Sequence, residues 1–370
     1  MKITRIQVFT YDAAYQGGDY SMSGGRVSPH QPSLVVRLDT DEGLVGWGET
    51  CPHGRTYLPS FFEGELAAVG VLAPALLGQD PSNPAAVNAL MDRELLGSNA
   101  AKALVDFACW DLFGKAVGRP AGDLLGGRLQ DTLPLFTALP VADAPTQIEF
   151  ARRQVELGVG VFQVKVGDDP LVDAGRVRAV VEAVGPTCTV LADANGGWSL
   201  GSALVAAAQL SDLPVRLEQP CATMADCVEL GKHTALPLIL DECVVTAADL
   251  LRAKYQAGAA GINIKPSRVG GLARARVLRD MAQGLGMTFT VDDTWGGSIA
   301  TAQIAALASG AASASLTAVT SFATITTPSI ATGAEGFDQG RSVVPTGPGL
   351  GVEVDTEVLG DPLIDITAQR

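Results

Sequence analysis

The feature that most limits the possible folds is an alternation, after Gly127, of short β-branched runs with Ala- and Leu-rich segments of helical spacing. Such alternation predicts a parallel sheet with both faces covered by helices. Six strands are readable, and residues 133–137 and 315–319 can supply one more at each end, so we expect an eight-stranded α/β barrel. The six predicted strands are residues 161–166, 189–192, 215–218, 238–240, 261–264 and 287–291.

The rest of the chain forms two further regions. Residues 1–11 alternate apolar and polar side chains as half-buried strands do, whereas residues 63–118 have helical spacing. Strands followed by helices predict an α+β capping domain at residues 1–125, ahead of a barrel domain at residues 126–325. Residues 326–370 are rich in turns, and we expect them to pack back on the cap.

Ionisable side chains stand at the carboxyl ends of successive predicted strands. Each is between 23 and 28 residues from the next, which is about one βα unit. Because the carboxyl ends of barrel strands meet at one mouth, where barrel enzymes have their active sites, we expect these side chains to converge there. In chain order they are Lys165, Asp193, Glu218, Asp241, Lys265 and the pair Asp292 and Asp293.

Three of these groups are carboxylates on adjacent strands: Asp193, Glu218 and Asp241. An all-oxygen set suits a hard cation such as Mg²⁺, with substrate or water completing its shell. None of the three histidines of the chain lies in the series, which disfavours zinc. A single Asp or Glu at such a position is more often a helix cap or a turn residue. Three in register favour a metal site.

Two lysines, Lys165 and Lys265, flank the predicted metal site. A lysine crowded by cations has a lowered pKa and can act as a general base, while a protonated lysine opposite acts as an acid. A lone strand-end lysine usually reaches to solvent instead. With a metal stabilising the enediolate, the pair suits removal of a proton next to a carboxylate, followed by racemisation, epimerisation or elimination.

Composition excludes several other classes of function. The net charge of −14 carries no basic patch for a phosphate backbone, so we expect no nucleic-acid partner. A metal and lysines in one pocket can still attract a small-molecule carboxylate substrate. The six cysteines show no CxxC pair, which indicates reduced thiols and a cytoplasmic protein. The start of the sequence lacks a signal peptide, and we expect no association with a membrane.

Seven motifs, spread over nearly the whole chain, resemble the enolase superfamily, in particular its mandelate racemase and muconate lactonising subgroup. The resemblance implies a modified (β/α)₈ barrel with an α+β cap, Mg²⁺ on Asp193, Glu218 and Asp241, and Lys165 and Lys265 as the base pair. It also implies a homo-oligomer. The motifs are Gly46-Trp-Gly-Glu49, Ala108-Cys-Trp-Asp111 before Gly118-Arg-Pro120, Val164-Lys-Val-Gly167, Asp193-Ala-Asn195, Glu218-Gln-Pro220, Asp241-Glu242 and Lys265-Pro-Ser-Arg-Val-Gly-Gly271.

Two departures from the family pattern narrow the chemistry. Many relatives have Lys-x-Lys where this chain has Gln163-Val-Lys165, which removes the usual cationic neighbour of Lys165. The His-Asp dyad of mandelate-type members is replaced by Asp292-Asp-Thr-Trp-Gly-Gly297, which makes hydroxyacid racemisation less favoured. The latter sequence resembles members that act on proline-derived substrates, the hydroxyproline-betaine 2-epimerases and cis-3-hydroxyproline dehydratases.

Residues of the cap loops and of the late barrel strands are the candidates for substrate binding. Aromatic side chains there can hold a cationic ring nitrogen by cation–π contact, although packing between cap and barrel explains any one of them equally well. The candidates are Tyr20, Met22, His53, Arg55 and Tyr57 in the cap, and Asp292, Asp293, Trp295, Thr320 and Phe322 in the barrel.

Three functions remain open from the sequence. The favoured one is racemisation or epimerisation of a proline-type or N-substituted amino acid, such as a proline betaine, because two opposed lysines suit two-faced proton exchange. The second is dehydration of cis-3-hydroxy-L-proline or a related hydroxy amino acid. The third, from another class, is a barrel that binds metal and ligand without turnover.

Overall fold

The computed structural model describes residues 1–368, of which the first third forms a capping domain. Apolar side chains of its strands and helices share one buried cluster, in which residues such as Ile6, Leu38 and Leu72 are fully buried. The strands are β1 (Ile3–Asp12), β2 (Ala14–Tyr15), β3 (Tyr20–Met22), β4 (Arg26–Ser28), β5 (Pro32–Thr40) and β6 (Val45–Thr50); the helices are α1 (Phe62–Leu76), α2 (Pro84–Glu94), α3 (Asn99–Val117) and α4 (Ala121–Leu124).

The middle of the chain alternates strands and helices. The strands are β7 (Thr132–Pro134), β8 (Phe136–Ala138), β9 (Val161–Lys165), β10 (Thr189–Asp193), β11 (Val215–Glu218), β12 (Leu238–Leu240), β13 (Gly261–Ile264), β14 (Thr288–Val291) and β15 (Leu316–Val319). The helices are α5 (Ala144–Glu156), α6 (Pro170–Val184), α7 (Leu200–Gln209), α8 (Met224–Gly231), α9 (Ala247–Tyr255), α10 (Pro266–Val269), α11 (Leu272–Gly284) and α12 (Ser298–Ala308).

Strands β8 to β15 form one parallel sheet in chain order, and a parallel bridge between Leu135 and Val319 joins its two edges. This arrangement confirms the predicted eight-stranded barrel. Short polar motifs begin its helices: the Asp169 side chain accepts from the first backbone N–H groups of α6, and Thr246 and Asp249 form a capping box at α9. These caps fix the starts of α6 and α9 shortly after β9 and β12.

The first barrel strand differs from its prediction at residues 133–137. The segment divides into β7, which pairs with Arg341–Val343 outside the barrel, and β8, which alone joins the barrel sheet. Pro134 has no N–H to donate to a sheet ladder, and the Leu135 N–H donates to the Gly340 carbonyl. The other predicted barrel strands agree with the structure to within one residue at each end.

The last part of the chain consists of short elements that contact both earlier regions. They are β16 (Thr326–Thr327), β17 (Ala331–Thr332), β18 (Phe337–Asp338), β19 (Arg341–Val343), β20 (Glu353–Val354), α13 (Thr356–Leu359) and β21 (Ile364–Thr367). Strand β21 pairs with β1, so that the cap sheet has the order β21–β1–β5–β6, and β16 pairs with β2. The last two residues of the predicted segment 326–370 lie outside the described residues.

Two further observations bear on the sequence predictions. All six cysteines are free thiols, in agreement with the absence of a disulfide spacing. Within residues 1–368, no helix combines the length and the apolar character needed to cross a lipid bilayer.

Candidate active site

A cavity of about 550 Å³ lies at the mouth of the barrel, beneath the loops of the cap. It brings together most of the side chains that the sequence singles out for binding and catalysis. Arg55, Glu218 and Asp241 are exceptions: the Arg55 guanidinium pairs with Glu63 on the surface, and the buried Glu218 and Asp241 are not among the residues that line the cavity. The predicted residues that line the cavity are Tyr20, Met22, His53, Tyr57, Lys165, Asp193, Lys265, Asp292, Asp293, Trp295, Thr320 and Phe322.

Strand register places the charged groups side by side at this mouth. Asp193 is the register partner of Lys165 on one side and of Glu218 on the other. Asp241 follows the next strand, β12. All three carboxylates are buried, with at most 2% of their surface exposed. The predicted set therefore stands on three adjacent positions of the barrel rim.

Each aspartate of this set is bound by a cationic side chain. The Lys165 Nζ donates to Asp193 Oδ2 at 2.6 Å, and the Lys265 Nζ lies 3.0 Å from Asp241 Oδ2. The other oxygen of Asp241 accepts from the guanidinium of Arg268. In this arrangement, no three His, Cys, Asp or Glu side chains among residues 1–368 form a ready-made metal cluster.

Glu218 has a different environment from the two aspartates. Among the described residues, its side chain accepts hydrogen bonds only from amide groups, Gln163 Nε2 at 2.8 Å and Asn263 Nδ2 at 3.1 Å. Burial, followed by the charges of Asp193 and Asp241, raises the pKa of Glu218 well above its usual value. Gln163, the first residue of the Gln-Val-Lys165 sequence, thus supports the middle carboxylate.

The donor set fits a hard divalent cation. A buried carboxyl group between two others, which forms no salt bridge among residues 1–368, is costly to ionise, and a divalent cation beside it would stabilise its charged form. Two amide oxygens nearby, Asn195 Oδ1 and Asn263 Oδ1, are buried without a hydrogen-bond donor. Carboxylate and amide oxygens are ligands that Mg²⁺ accepts. Asp193, Glu218 and Asp241 would hold it.

The two lysines lie on opposite sides of the mouth, because β9 and β13 are four strands apart in an eight-stranded barrel. The sequence predicts a lowered pKa for one lysine, crowded by cations, opposite a second lysine that stays protonated. For Lys165, burial is the largest single effect and lowers the pKa, but the charges of Asp193, Tyr20 and Glu218 together outweigh it. For Lys265, the charges of Asp241, Tyr57, Asp292 and Glu242 together outweigh burial in the same way. Both pKa values are raised because the neighbours of the amines are carboxylates rather than cations.

Arg268 is a site residue that the sequence reasoning missed. Its side chain is buried, and it donates to Asp241 and, at 2.7 Å, to the Asn263 carbonyl. It stands one helical turn after Lys265, in the short helix α10. In the sequence, the only sign of a role for Arg268 is its place in the motif that begins at Lys265 and ends at Gly271. It does not stand at the end of a strand, so the strand-end pattern does not select it.

Aromatic rings form the wall of the cavity that faces the cap. The Trp295 ring stacks on His53 at 5.2 Å and lies 4.6 Å from Tyr20 and 5.6 Å from Phe322, measured between ring centroids. Its Nε1 donates to the Ala13 carbonyl at 2.8 Å, which fixes the indole to the cap. Burial, with Lys265 and Lys165 nearby, lowers the pKa of His53 to about 3, so its imidazole is neutral.

The adjacent pair Asp292 and Asp293 separates into two environments. Asp292 accepts from the Thr320 hydroxyl at 2.5 Å and lies 3.9 Å from the Lys265 Nζ, with its carboxylate at the cavity. Both oxygens of Asp293 accept hydrogen bonds from Ser267, and burial raises its pKa to about 6. Asp292 is therefore available to a ligand, whereas Asp293 ties α10 to the loop after β14.

A buried carboxylate of the cap fixes the two domains against each other at this point. Glu49, from the Gly-Trp-Gly-Glu motif, accepts from the backbone N–H groups of Gly297 at 2.8 Å and Ala300 at 2.9 Å. These groups belong to the start of α12, just after Trp295. The Tyr11 hydroxyl donates to the same carboxylate at 2.5 Å. The cap motif thereby positions the aromatic wall.

Comparison with known proteins agrees with this geometry. Residues 5–126 match the family model "Mandelate racemase / muconate lactonizing enzyme, N-terminal domain", and residues 147–358 match "Enolase C-terminal domain-like". A cis-3-hydroxy-L-proline dehydratase from Roseibium aggregatum is 40% identical over 98% of this chain and 99% of its own length. An N-succinyl-L-Arg/Lys racemase from Bacillus cereus is 31% identical over 78% of each chain.

A solved structure is also similar along the whole chain. It is a member of the enolase superfamily from Roseovarius nubinhibens ISM complexed with magnesium, with a TM-score of 0.91 and 32% identity over 99% of this chain and 100% of that one. The fold and the charged mouth define a barrel enzyme closed by an α+β cap. The chain belongs to the mandelate racemase/muconate lactonizing enzyme family of the enolase superfamily, whose members typically use Mg²⁺.

Proposed function

We propose that the protein removes the α-proton of a proline-type amino acid and eliminates a β-hydroxyl group as water, with cis-3-hydroxy-L-proline as the substrate. The observation that carries the reaction type is the pair of amines, Lys165 and Lys265, on opposite sides of a mouth lined by buried carboxylates. The 40% identical dehydratase, which this chain matches over nearly its whole length, supports the substrate.

The protein side chains divide the chemistry between them. One lysine, as the neutral amine, takes the α-proton, and the electron pair left on the α-carbon forms a double bond to the β-carbon as the hydroxyl departs. The opposite ammonium gives a proton to the departing oxygen, which leaves as water. The unsaturated amino acid that results tautomerises to a cyclic imine, so that substrate equals product plus water.

Mg²⁺ held by Asp193, Glu218 and Asp241 would supply positive charge at the substrate carboxylate. Lys165 and Lys265 would then lie beside aspartates whose negative charge is shared with the cation, which would lower the pKa values of both amines. The chain itself binds the other end of the substrate. Asp292 offers a carboxylate to the ring ammonium, and the faces of Trp295 and Phe322 cover the ring. The neutral His53 adds no positive charge that would repel the ammonium.

The test is incubation of the purified protein with Mg²⁺ and cis-3-hydroxy-L-proline in D₂O. We expect consumption of the amino acid and appearance of a cyclic imine, detected by reaction with an aromatic amine and by NMR. Variants Lys165→Ala and Lys265→Ala should each abolish the product. If the wild-type protein leaves this substrate unchanged while exchanging the α-proton of another amino acid, the dehydratase assignment is wrong and the proton-abstracting site stands.

The second candidate is the one that the sequence favours, epimerisation of a proline-type or N-substituted amino acid such as a proline betaine. The opposed amines suit proton exchange on both faces of the α-carbon, and the N-succinyl-L-Arg/Lys racemase supports it. Incorporation of α-deuterium with inversion and without loss of water would favour it over dehydration. A ligand-binding barrel without turnover would show neither reaction with any substrate of these classes.

Two expectations about partners belong to the same proposal. The substrate is a small carboxylate rather than a nucleic acid, because the chain carries a net charge of −14. We also expect a homo-oligomer. Light scattering after size-exclusion chromatography measures this, and a mass of one chain would contradict it.

A further inference from the structure

The two lysines of the mouth have different surroundings. Lys165 is bound by one carboxylate, that of Asp193. Lys265 has three partners: Asp241 Oδ2 at 3.0 Å, Asp292 Oδ2 at 3.9 Å and the Tyr57 hydroxyl at 2.5 Å. The Tyr57 contact comes from the cap, while both carboxylates belong to the barrel.

Tyr57 holds the amine in two ways. Its hydroxyl oxygen accepts from the Lys265 Nζ, and the centre of its ring lies 5.0 Å from the same nitrogen. The hydroxyl also lies 3.5 Å from Asp241 Oδ2. The ring packs edge-on against His53, which is stacked on Trp295, so the aromatic wall supports Tyr57.

The Lys265 Nζ lies among three oxygens and is closest to the Tyr57 hydroxyl. The Asp292 carboxylate, which lines the cavity, competes with Tyr57 for the ammonium from 3.9 Å. The Tyr57 hydroxyl is the uncharged partner, and it holds Nζ beside Asp241 and beyond hydrogen-bond distance of Asp292. A hydrogen bond to a charged group contributes enough to shift such a balance tenfold or more.

We propose that Tyr57 is a positioning residue, which keeps the Lys265 amine over the cavity so that it can exchange a proton with the α-carbon on its face. Lys165 has no equivalent partner among the hydrogen bonds of residues 1–368. The proposal extends the proposed function, because it requires that the lysines move protons, but its geometric part is independent of the substrate.

The matched variant is Tyr57→Phe, which removes the hydroxyl and keeps the ring. Its control is Tyr255→Phe, which removes the hydroxyl of an exposed tyrosine at the end of α9, outside the cavity. The probes are L-proline and D-proline in D₂O with Mg²⁺, because each enantiomer turns its α-proton to a different face. The variants Lys165→Ala and Lys265→Ala should each lose exchange of one enantiomer, which shows which amine acts on which enantiomer.

We expect Tyr57→Phe to slow exchange on the Lys265 face by about 10- to 100-fold and to change the Lys165 face by less than about threefold. The control should leave the ratio of the α-proton exchange rates on the two faces as in the wild type, even where it lowers thermal stability. Equal loss on both faces, or no change on either, would overturn the proposal.

A substrate-free measurement separates this proposal from the proposed function. In a crystal structure of Tyr57→Phe, the Lys265 Nζ should move from its wild-type position into direct hydrogen-bond distance of Asp292. An unmoved Nζ overturns the positioning role, whatever the substrate is. If wild-type protein neither exchanges either proline nor dehydrates cis-3-hydroxy-L-proline, the proposed function fails, and the crystal structure alone decides the role of Tyr57.

Discussion

Replacing Lys165 with methionine is expected to destabilise the protein and, at the same time, to increase its response to Mg²⁺. The Lys165 Nζ and Asp193 Oδ2 are 2.6 Å apart, and the two side chains are only 6% and 1% exposed. Removing one partner of such a buried pair leaves a buried charge and costs about 3–5 kcal/mol. If the chain unfolds as one unit, the melting temperature falls by about 4–6 °C.

Mg²⁺ should restore part of this loss. Without the ammonium, the Asp193 oxygen has no competing cation, so a divalent cation at Asp193, Glu218 and Asp241 binds more tightly than in the wild type. A ligand at about 100 times its dissociation constant adds about 2.7 kcal/mol to the stability of the folded state. The assay is thermal unfolding followed by circular dichroism, with and without Mg²⁺.

The matched control is Lys115→Met. Lys115 also binds a fully buried aspartate at 2.6 Å, but this aspartate, Asp111, lies in the cap and accepts from the backbone N–H groups of Trp47 and Leu350 as well. We expect this variant to lose stability without any additional gain from Mg²⁺. Equal responses of the two variants to Mg²⁺ would refute the reasoning.

Two further predictions concern the aromatic wall. His53 has a folded pKa of about 3 against about 6.5 unfolded, so its contribution to stability is present above pH 6.5 and is lost as the pH falls toward 3. The test variant is His53→Asn, because asparagine tolerates the φ of 53° at this position. Between about pH 7.5 and 4.5, its free energy of unfolding, measured by urea titration, should fall by about 3 kcal/mol less than that of the wild type. Equal falls in the two proteins would contradict this. Trp295→Phe should lower the free energy of unfolding by about 1–3 kcal/mol, because the buried Ala13 carbonyl loses the indole N–H that donates to it. A change below about 0.5 kcal/mol in the same assay would contradict this.

The barrel and its charged rim are predictable from the sequence for a local reason. Each strand is a short β-branched run, and the residue at its carboxyl end is next to it in the chain, so Lys165, Asp193 and Glu218 can be placed without knowing any long-range contact. The split of the first strand is less predictable. It depends on Leu135 binding a carbonyl at Gly340, which is distant in sequence.

The surroundings of the site are set by contacts that the strand pattern does not contain. Tyr57 meets Lys265 across 208 positions, and Trp295 meets the Ala13 carbonyl across 282. The pKa of Lys265 is raised for the same reason, since its direction depends on which charges the fold brings near. The sequence places Lys265 beside a metal held by Asp241, but it does not give the direct contact of 3.0 Å between the Lys265 Nζ and Asp241 Oδ2.

The central claim is that Lys165 and Lys265 act on the α-proton of a carboxylate substrate. Release of tritium from cis-3-hydroxy-L-proline labelled at the α-carbon measures that step directly, in wild-type protein and in the two lysine-to-alanine variants, with Mg²⁺ present. We predict release by the wild type and a loss of at least about 100-fold in each variant. Release at the wild-type rate in both variants would contradict the account.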